Sequence, residues 1–426
     1  MNIEMYKVIS DLFPICRSIT GPGIKKSLKY FEIINPKFKR IKFKTGKKIF
    51  DWVIPKEWSI RDGFIQDIKS KKKYAKFKDN NLHILNFSSP INKTITKKEL
   101  FKHIFTIKEQ PKAIPYVTSY YKKNWGFCLS EREKNKLNNK NYRVFIDSKF
   151  TKGHLDLSHA IFRGKSQKEI FFSSYLCHPS MANNELSGPA VISKLADYIS
   201  KKKKLRFTYR FVLLPETIGS ICYINKFKKT LKRNMICGFN VSCVGDDRHY
   251  SIISSREGNS LADISLLEKI SHKKNFTYFS YLQRGSDERQ YCAPGIDLPI
   301  CGFSRTKYGE YKEYHTSEDN LNLVNKKSLQ DSFNVLKSIV DSFENDFSWY
   351  SFPKSKFYCE PNLGKRKLYP NVSEKKNYHK LNLRMDLIAY SDGKKNLVQI
   401  SKIIKKPIKK ILVELKILVK KKVLIF

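Results

Sequence analysis

The 426-residue sequence contains no CxxC pair, 18 Gly and 16 Pro, and 39 acidic residues against 83 basic ones. Scarce Gly and Pro, without a long polar tract, exclude a collagenous or low-complexity chain. The cysteines number nine, an odd count, and most sit in apolar runs. That excludes a paired disulfide framework and reads as reduced core thiols. No window approaches the roughly 18 uninterrupted apolar residues that a membrane span needs. Residues 1–13 carry Glu4 and Asp11 in place of a basic stretch followed by an apolar run, so no signal peptide is expected and the cytoplasm is the expected compartment.

The shortage of acids leaves a formal charge of +44. A charge of that size fits a phosphate-rich partner when it forms a stripe. Here it is scattered in short lysine runs at 71–73, 201–204 and 420–422, among many Asn and Ile. A nucleic-acid partner is therefore not expected from the charge.

What the chain does have is apolar mass: 41% hydrophobic residues, with 29 Phe and 23 Tyr, enough for two or three domains at about 150 residues each. Met5, Val8, Ile9, Leu12 and Phe13 recur at helical spacing until Gly21-Pro22-Gly23 breaks the pattern. Between 42 and 117 the texture is of short β runs (50–54, 82–87, 101–107) with Trp52 and Trp58 as anchors. From 142 onward, strands at 142–147, 169–176, 206–214, 235–244, 278–282 and 298–303 alternate with helices at about 188–202, 219–231, 261–273 and 327–343, the pattern of an α/β sheet with helices on its faces. After an aromatic, Pro-containing loop from Trp349 to Pro361, the stretch 378–426 reads as a helix, the turn Ser391-Asp392-Gly393, two short helices and a terminal strand, which are winged-helix proportions.

Three polar clusters each follow an apolar strand. The first is Cys177-His178-Pro179-Ser180-Met181-Ala182-Asn183-Asn184-Glu185-Leu186-Ser187-Gly188, the second Leu214-Pro215-Glu216-Thr217-Ile218-Gly219-Ser220, and the third Tyr314-His315-Thr316-Ser317-Glu318-Asp319. Taken singly, each His reads as a satisfied turn histidine and Glu216 as a first-turn acid favoured by the helix dipole. Three such groups at the carboxyl ends of strands in one sheet form the place where α/β sheets build sites, and zinc needs about three converging ligands with one position open for water.

In that order, followed by Arg284-Gly285-Ser286-Asp287-Glu288-Arg289-Gln290-Tyr291, these motifs resemble the zinc aminopeptidase (leucyl aminopeptidase-like) superfamily. More closely, the chain resembles the bacterial aminopeptidase-like proteins associated with polysaccharide-biosynthesis loci, which carry a β insert and a winged-helix tail. Further support lies in 12–21, Asp51-Trp52-Val53-Ile54-Pro55, Ile114-Pro115-Tyr116-Val117-Thr118-Ser119-Tyr120-Tyr121, and Leu387-Ile388-Ala389-Tyr390-Ser391-Asp392-Gly393. The resemblance implies a three-layer mixed-sheet α/β core from 1–41 and 118–350, an inserted β-rich domain over 42–117, and a linker and winged-helix-like domain over 351–426.

It also implies His178 and His315 as zinc ligands and Glu216 as the general base. Asn184 stands where the family has the Asp that bridges two metals, Thr217 where it has a second Glu, and Ser242 where it has another Asp. One zinc ion per chain, held by His178, Asn184 and His315, is then the expectation. Arg284, Asp287, Glu288 and Tyr314 are the expected substrate contacts, with a substrate amino group at Asp287 or Glu288. The implied activity is zinc-dependent hydrolysis of a short peptide or of an amino-acid or amino-sugar conjugate. The alternative is a catalytically impaired peptidase scaffold that binds or regulates in polysaccharide biosynthesis. In the tail, Ile403, Ile404, Ile408, Ile411, Leu412, Leu415 and Leu418 fall near helical spacing among the lysines, which favours packing and docking to a protein partner over reading nucleic acid.

Overall fold

The computed structural model describes residues 3–345, 351–369 and 375–425; Trp349, expected in the linker, lies outside them. The chain forms two units, Met1–Lys337 and Ser338–Phe426.

The first unit is built on an eight-stranded mixed sheet. Its spatial order is Lys39–Lys44, His154–Phe162, Thr208–Leu214, Glu169–Tyr175, Met235–Val241, Ile300–Ser304, Tyr250–Ile253, Phe276–Phe279. The four strands from Thr208–Leu214 to Ile300–Ser304 run parallel to one another. Parallel strands covered on both faces must be apolar throughout rather than alternating. Accordingly, every residue of Glu169–Tyr175 and Thr208–Leu214 is buried. Their charged exceptions satisfy each other: Arg210 makes a two-pronged pair with Glu169, at 2.7 and 2.8 Å, and donates to the Tyr223 hydroxyl at 3.0 Å. Phe171, Tyr175 and Cys177 share one core with Ile221, Cys222 and Ile224 of the helix Ile218–Asn234. On the other face Phe172 stacks between Phe211 and Phe239.

Helix Ser187–Ser200 begins hard against the sheet. A Cβ on Gly188 would lie 2.3 Å from the Val241 carbonyl oxygen and 2.4 Å from Ser174 Oγ, so no larger residue fits there without moving the helix. This contact sets the height of the preceding loop, 177–186, above the strand ends.

A smaller antiparallel sheet, ordered Lys73–Tyr74, Glu57–Asp67, Asn141–Thr151, Ile91–Thr96, has its own core of Ile65, Ile84, Leu100, Phe127, Tyr142, Val144 and Ile146. The strand expected at 142–147 as the start of the α/β alternation belongs to this sheet, where it pairs with Glu57–Asp67 and Ile91–Thr96. The small sheet thus draws on residues both before and after position 118, and Lys39–Lys44 pairs in the large sheet. Two of the expected β runs take other forms. At 82–87 a 3-10 turn, Asn81–His83, starts where the Asn80 side chain accepts from the Leu82 N–H. At 101–107 the helix Lys97–Phe101, capped by Thr96 on the Glu99 N–H, precedes a two-residue strand. In each case a polar side chain offers the backbone a cap that the apolar pattern does not register. Likewise Pro22 does not merely break a helix; it opens the next one, Pro22–Ile34.

The second unit packs helices Lys375–Ala389, Leu397–Ile403 and Ile408–Lys420 around Leu387, Leu397, Ile400, Ile411, Leu415, Leu418 and Val423, with a ribbon of Lys354–Ser355 and Leu424–Ile425. The apolar stripe read from the tail supplies this core, while Ile403 is exposed. Seven of the nine cysteines are buried, Cys16 is half-buried and Cys359 is exposed; all are free thiols. Among the described residues, no helix is long and apolar enough to cross a membrane.

The Gly188 contact yields a test. Gly188→Ala is expected to destabilise the fold by about 2–4 kcal/mol through overpacking against backbone. Gly46→Ala, at φ +83° with nothing within 4 Å of its Cβ, is expected to lose about 1–2 kcal/mol from backbone strain alone. Urea unfolding of both variants checks the difference, and equal losses would remove the packing argument.

Candidate functional site

The loops after strands Glu169–Tyr175 and Thr208–Leu214 meet the 314–320 segment at a cleft of about 660 Å³. Its lining includes His178, Glu216, His315 and Arg289, with an aromatic wall of Trp52, Tyr116, Tyr120 and Tyr121.

His178 is 5% exposed and is fixed from behind. Glu185, itself fully buried, accepts from the backbone N–H groups of Cys177 and His178 and pairs with His178 Nδ1 at 2.5 Å. Arg17, also fully buried, donates through Nε to the His178 carbonyl at 2.9 Å. Burial, the largest single influence, opposes the imidazolium, but the Glu185 carboxylate and the Cys177 sulfur together outweigh it and lift the His178 pKa well above its usual value. With Nδ1 engaged, Nε2 is the atom left to face Glu216, whose Oε2 lies 3.8 Å away.

Glu216 ends the second strand-end motif. Its Oε1 accepts from Ser286 Oγ at 2.7 Å, and its backbone N–H meets Cys177 Sγ at 3.4 Å. Burial raises the Glu216 pKa, with His178 and Ser286 working against the shift. The next residue, Thr217, takes φ +64°, a left-handed conformation rare for a β-branched residue. It is held there by its N–H on Asp287 Oδ1 at 2.7 Å. Strain of this kind survives only where the surroundings over-determine it.

His315, at φ +55°, stacks on Tyr314 with ring centroids 3.9 Å apart, and its backbone oxygen accepts from the Tyr116 N–H at 2.8 Å. Its ring lies 5.2 Å from that of His178, centroid to centroid. His315 Nε2 is buried without a hydrogen-bond partner. Burial and the neighbouring His178 hold its pKa down to about 3, so the ring is neutral across the physiological range.

Of the residues expected at the site, His178, Glu216 and His315 line this cleft and the others do not. Asn184 is 1% exposed; its Oδ1 accepts from the Tyr175 hydroxyl at 2.8 Å and from the Cys243 thiol at 3.6 Å, so the amide oxygen expected on a metal is already engaged. Asp287 holds Thr217 and Ser220, the latter at 2.8 Å. Glu288 is buried and accepts from the N–H groups of Gly285 and Ser286, from Asn240 and from the Tyr308 hydroxyl. Tyr314 backs His315, and exposed Arg284 lies over the Tyr281 ring. Asp246 ties Asn183 to Thr306.

Sequence reasoning assigned no role to Asp319, which accepts from the N–H groups of Ala182, Asn183 and Asn184 and so pins the first motif to the third. It also passed over Arg289 and the tyrosines of 116–121, although both stand inside motifs quoted above.

As a metal centre, the cleft offers two imidazole nitrogens and the Glu216 carboxylate. Among the described residues, the one group of three ligand-type side chains within 4.8 Å of each other is Cys177, His178 and Glu185. There Glu185 is tied to backbone, and burial pushes the Cys177 thiol up to about 11, so that group supports His178 rather than forming a ligand set. His315 Nε2 is without a hydrogen-bond partner and His178 Nδ1 already has its carboxylate, so the Nε2 atoms of these two rings are the imidazole nitrogens open to an ion.

Comparison with known proteins agrees with this architecture. The solved zinc aminopeptidase of Bacillus subtilis superposes with TM-score 0.58 at 17% identity, covering 80% of this chain and 95% of that one. The aminopeptidase of Aneurinibacillus sp. strain AM-1 gives 0.51 at 17%, over 80% and 93%. These likenesses define the class: an aminopeptidase-like α/β fold, here followed by a winged helix-turn-helix domain that matches residues 352–425. Residues 6–346 match the family described as a domain of unknown function, DUF4910, and the chain belongs to that family. A Clostridium acetobutylicum protein named for polysaccharide biosynthesis and an aminopeptidase-like domain is 39% identical over 402 residues, 93% of this chain and 90% of its own length. A crystal structure from the same organism, titled as a peptidase, has TM-score 0.81 at 35% identity, over 99% and 96%.

Asp287 provides a pH test. Burial and the nearby Glu216 raise its pKa from 3.8 to about 8. The folded state therefore holds a proton that the unfolded state has lost, and this contribution to stability falls as pH rises from about 4 to about 8, by up to about 1.4 kcal/mol per unit. Asp287→Asn keeps the oxygen that Thr217 and Ser220 use, and is expected to flatten the decline. Urea midpoints at pH 5 and pH 8 measure it; parallel declines in both proteins would place the titration elsewhere.

Proposed function

We propose that the protein is a zinc-dependent amide or peptide hydrolase of the aminopeptidase type, acting on a short peptide or an amino-acid or amino-sugar conjugate. The observation that carries this reading is the Glu216 carboxylate, held by Ser286 and facing His178 Nε2 across a cleft that also contains the unpartnered His315 Nε2. His178 and His315 are the residues that would hold the ion, and Glu216 stands beside them as the base. When bound, zinc polarises the scissile carbonyl and lowers the pKa of its water toward neutrality.

The chain's own groups do the rest. Glu185 orients His178 by its Nδ1 side. Ser286 occupies one oxygen of Glu216 and leaves Oε2 to take a proton and pass it to the leaving nitrogen, a task suited to a carboxylate whose pKa burial has raised. Tyr116, in edge-on contact with both histidines, keeps water from that side. Cytoplasmic action in polysaccharide biosynthesis, with the winged-helix unit docking a protein partner, completes the proposal.

A second reading is favoured by one observation. Asn184 has its oxygen engaged elsewhere, and Thr217 and Ser242 are neutral, so a single carboxylate lines the cleft. On that reading the peptidase scaffold binds or regulates in polysaccharide biosynthesis without turnover.

Elemental analysis of protein purified without chelator separates the two. The first reading expects about one zinc per chain, retained in Glu216→Gln and lost in His315→Ala. It also expects Glu216→Gln to lose about 10²–10⁴ in rate on a panel of peptides and amides. Zinc in none of the three proteins, and no turnover, gives the second reading.

A further inference from the structure

We infer that the ligand of this cleft is an N-acylated acid, bearing a carboxylate and no free ammonium group, and that Arg289 selects it. The inference rests on the cleft being the substrate site of the amide hydrolase proposed above, and names a substrate class that departs from the free-amine substrates of an aminopeptidase.

The charges facing the cleft carry it. An aminopeptidase substrate brings an ammonium group, which needs an anion to receive it. Asp287 and Glu288, the carboxylates that the sequence offered for that task, are buried and turned to Thr217, Ser220, Gly285, Ser286, Asn240 and Tyr308. Glu216 is the acidic residue among those described in the lining. An ammonium ion paired with it would occupy the oxygen that must accept a proton, so binding and chemistry would compete for one group.

Arg289 is the opposite case. It lines the same cleft and is exposed. Its Nε donates to the Ser286 carbonyl at 3.2 Å and its Nη2 to Thr217 Oγ1 at 3.3 Å. Those anchors are the residue after Glu216 and the residue whose hydroxyl donates to Glu216, so the guanidinium is registered to the reacting end of the cleft. Among the described ion pairs no carboxylate engages it, and a guanidinium has five N–H donors, so roughly three remain for a ligand. A planar fork of this kind matches a carboxylate in two-pronged fashion, which an ammonium cannot exploit.

The remaining surface, from Ile19 and Trp52 to Tyr116, Tyr120 and Tyr121, is apolar and aromatic, and suits an acyl chain or a ring in the body of the ligand. In the reaction, one water is consumed: the amide C–N bond breaks, a C–O bond forms at the acyl carbon, and the products are a carboxylate and an amine. No oxidant or reductant is required.

The test is equilibrium binding, by calorimetry or ligand-observed NMR, of N-acetyl-L-phenylalanine, its methyl ester and L-phenylalanine amide to the full chain and to Arg289→Gln, Arg289→Lys and Glu216→Gln. N-acetyl-L-phenylalanine is expected to bind about tenfold more tightly than its ester, a difference in the range of a charge-assisted hydrogen bond. Arg289→Gln is expected to erase that preference, Arg289→Lys to restore part of it, and Glu216→Gln to keep it. Tightest binding of phenylalanine amide, a preference unchanged in Arg289→Gln, or no preference for the carboxylate overturns the inference. Turnover is scored separately. A carboxylate preference without hydrolysis defeats the hydrolase reading alone, and hydrolysis of phenylalanine amide at a rate indifferent to Arg289 defeats this one alone.

Discussion

The buried carboxylate of Glu185 is the point on which the candidate site is hung. A carboxylate removed from water is stable only when its lone pairs are engaged by strong donors. Here two consecutive backbone N–H groups and an imidazole supply them, all from the turn that ends strand Glu169–Tyr175. Charge solvation therefore folds the loop back on itself and aims one face of His178 outward. Arg17, brought from the N-terminal segment, adds a buried positive charge and grips the His178 carbonyl. Removing Glu185 would take from buried Arg17 and His178 the carboxylate that favours their charged forms, which is a larger loss than one hydrogen bond.

The sheet provides the rest by geometry. Parallel strands end on one side, and a loop between a strand end and a helix start is short enough to be rigid. Gly188 lets helix Ser187–Ser200 touch strand Met235–Val241, and Asp319 ties the 182–184 backbone to the third motif. Thr217 is forced into a left-handed turn by Asp287. His178, Glu216 and Thr217 in the cleft are thus each held by a second residue behind them, Glu185, Ser286 and Asp287, a division between lining and supporting groups that spacing alone does not disclose.

This explains what the sequence conveyed. The α/β alternation was legible because buried parallel strands are continuous apolar runs bounded by helix signals. His178, Glu216 and His315 were legible because each directly follows such a run. Strand Asn141–Thr151 was assigned to the wrong sheet, although its alternation of Tyr142, Val144, Ile146 and Ser148 with Arg143, Asp147 and Lys149 is the mark of a strand with one open face. The engagement of Asn184 by Tyr175 and Cys243 depends on three chain segments meeting, which no local pattern encodes. Arg284 and Arg289 are five residues apart in one motif. The intervening turn and short helix decide which of them reaches the cleft.

The distribution of sulfur has a practical corollary. Thiolates are the reactive form of cysteine, and burial pushes the thiols of Cys128, Cys222 and Cys292 up to about 12 and that of half-buried Cys16 equally far. Cys359 is exposed on the second unit, where a reagent can reach it. A maleimide dye added at neutral pH would report on the winged-helix unit, giving a site-selective optical handle in a native sequence with nine cysteines and no mutagenesis.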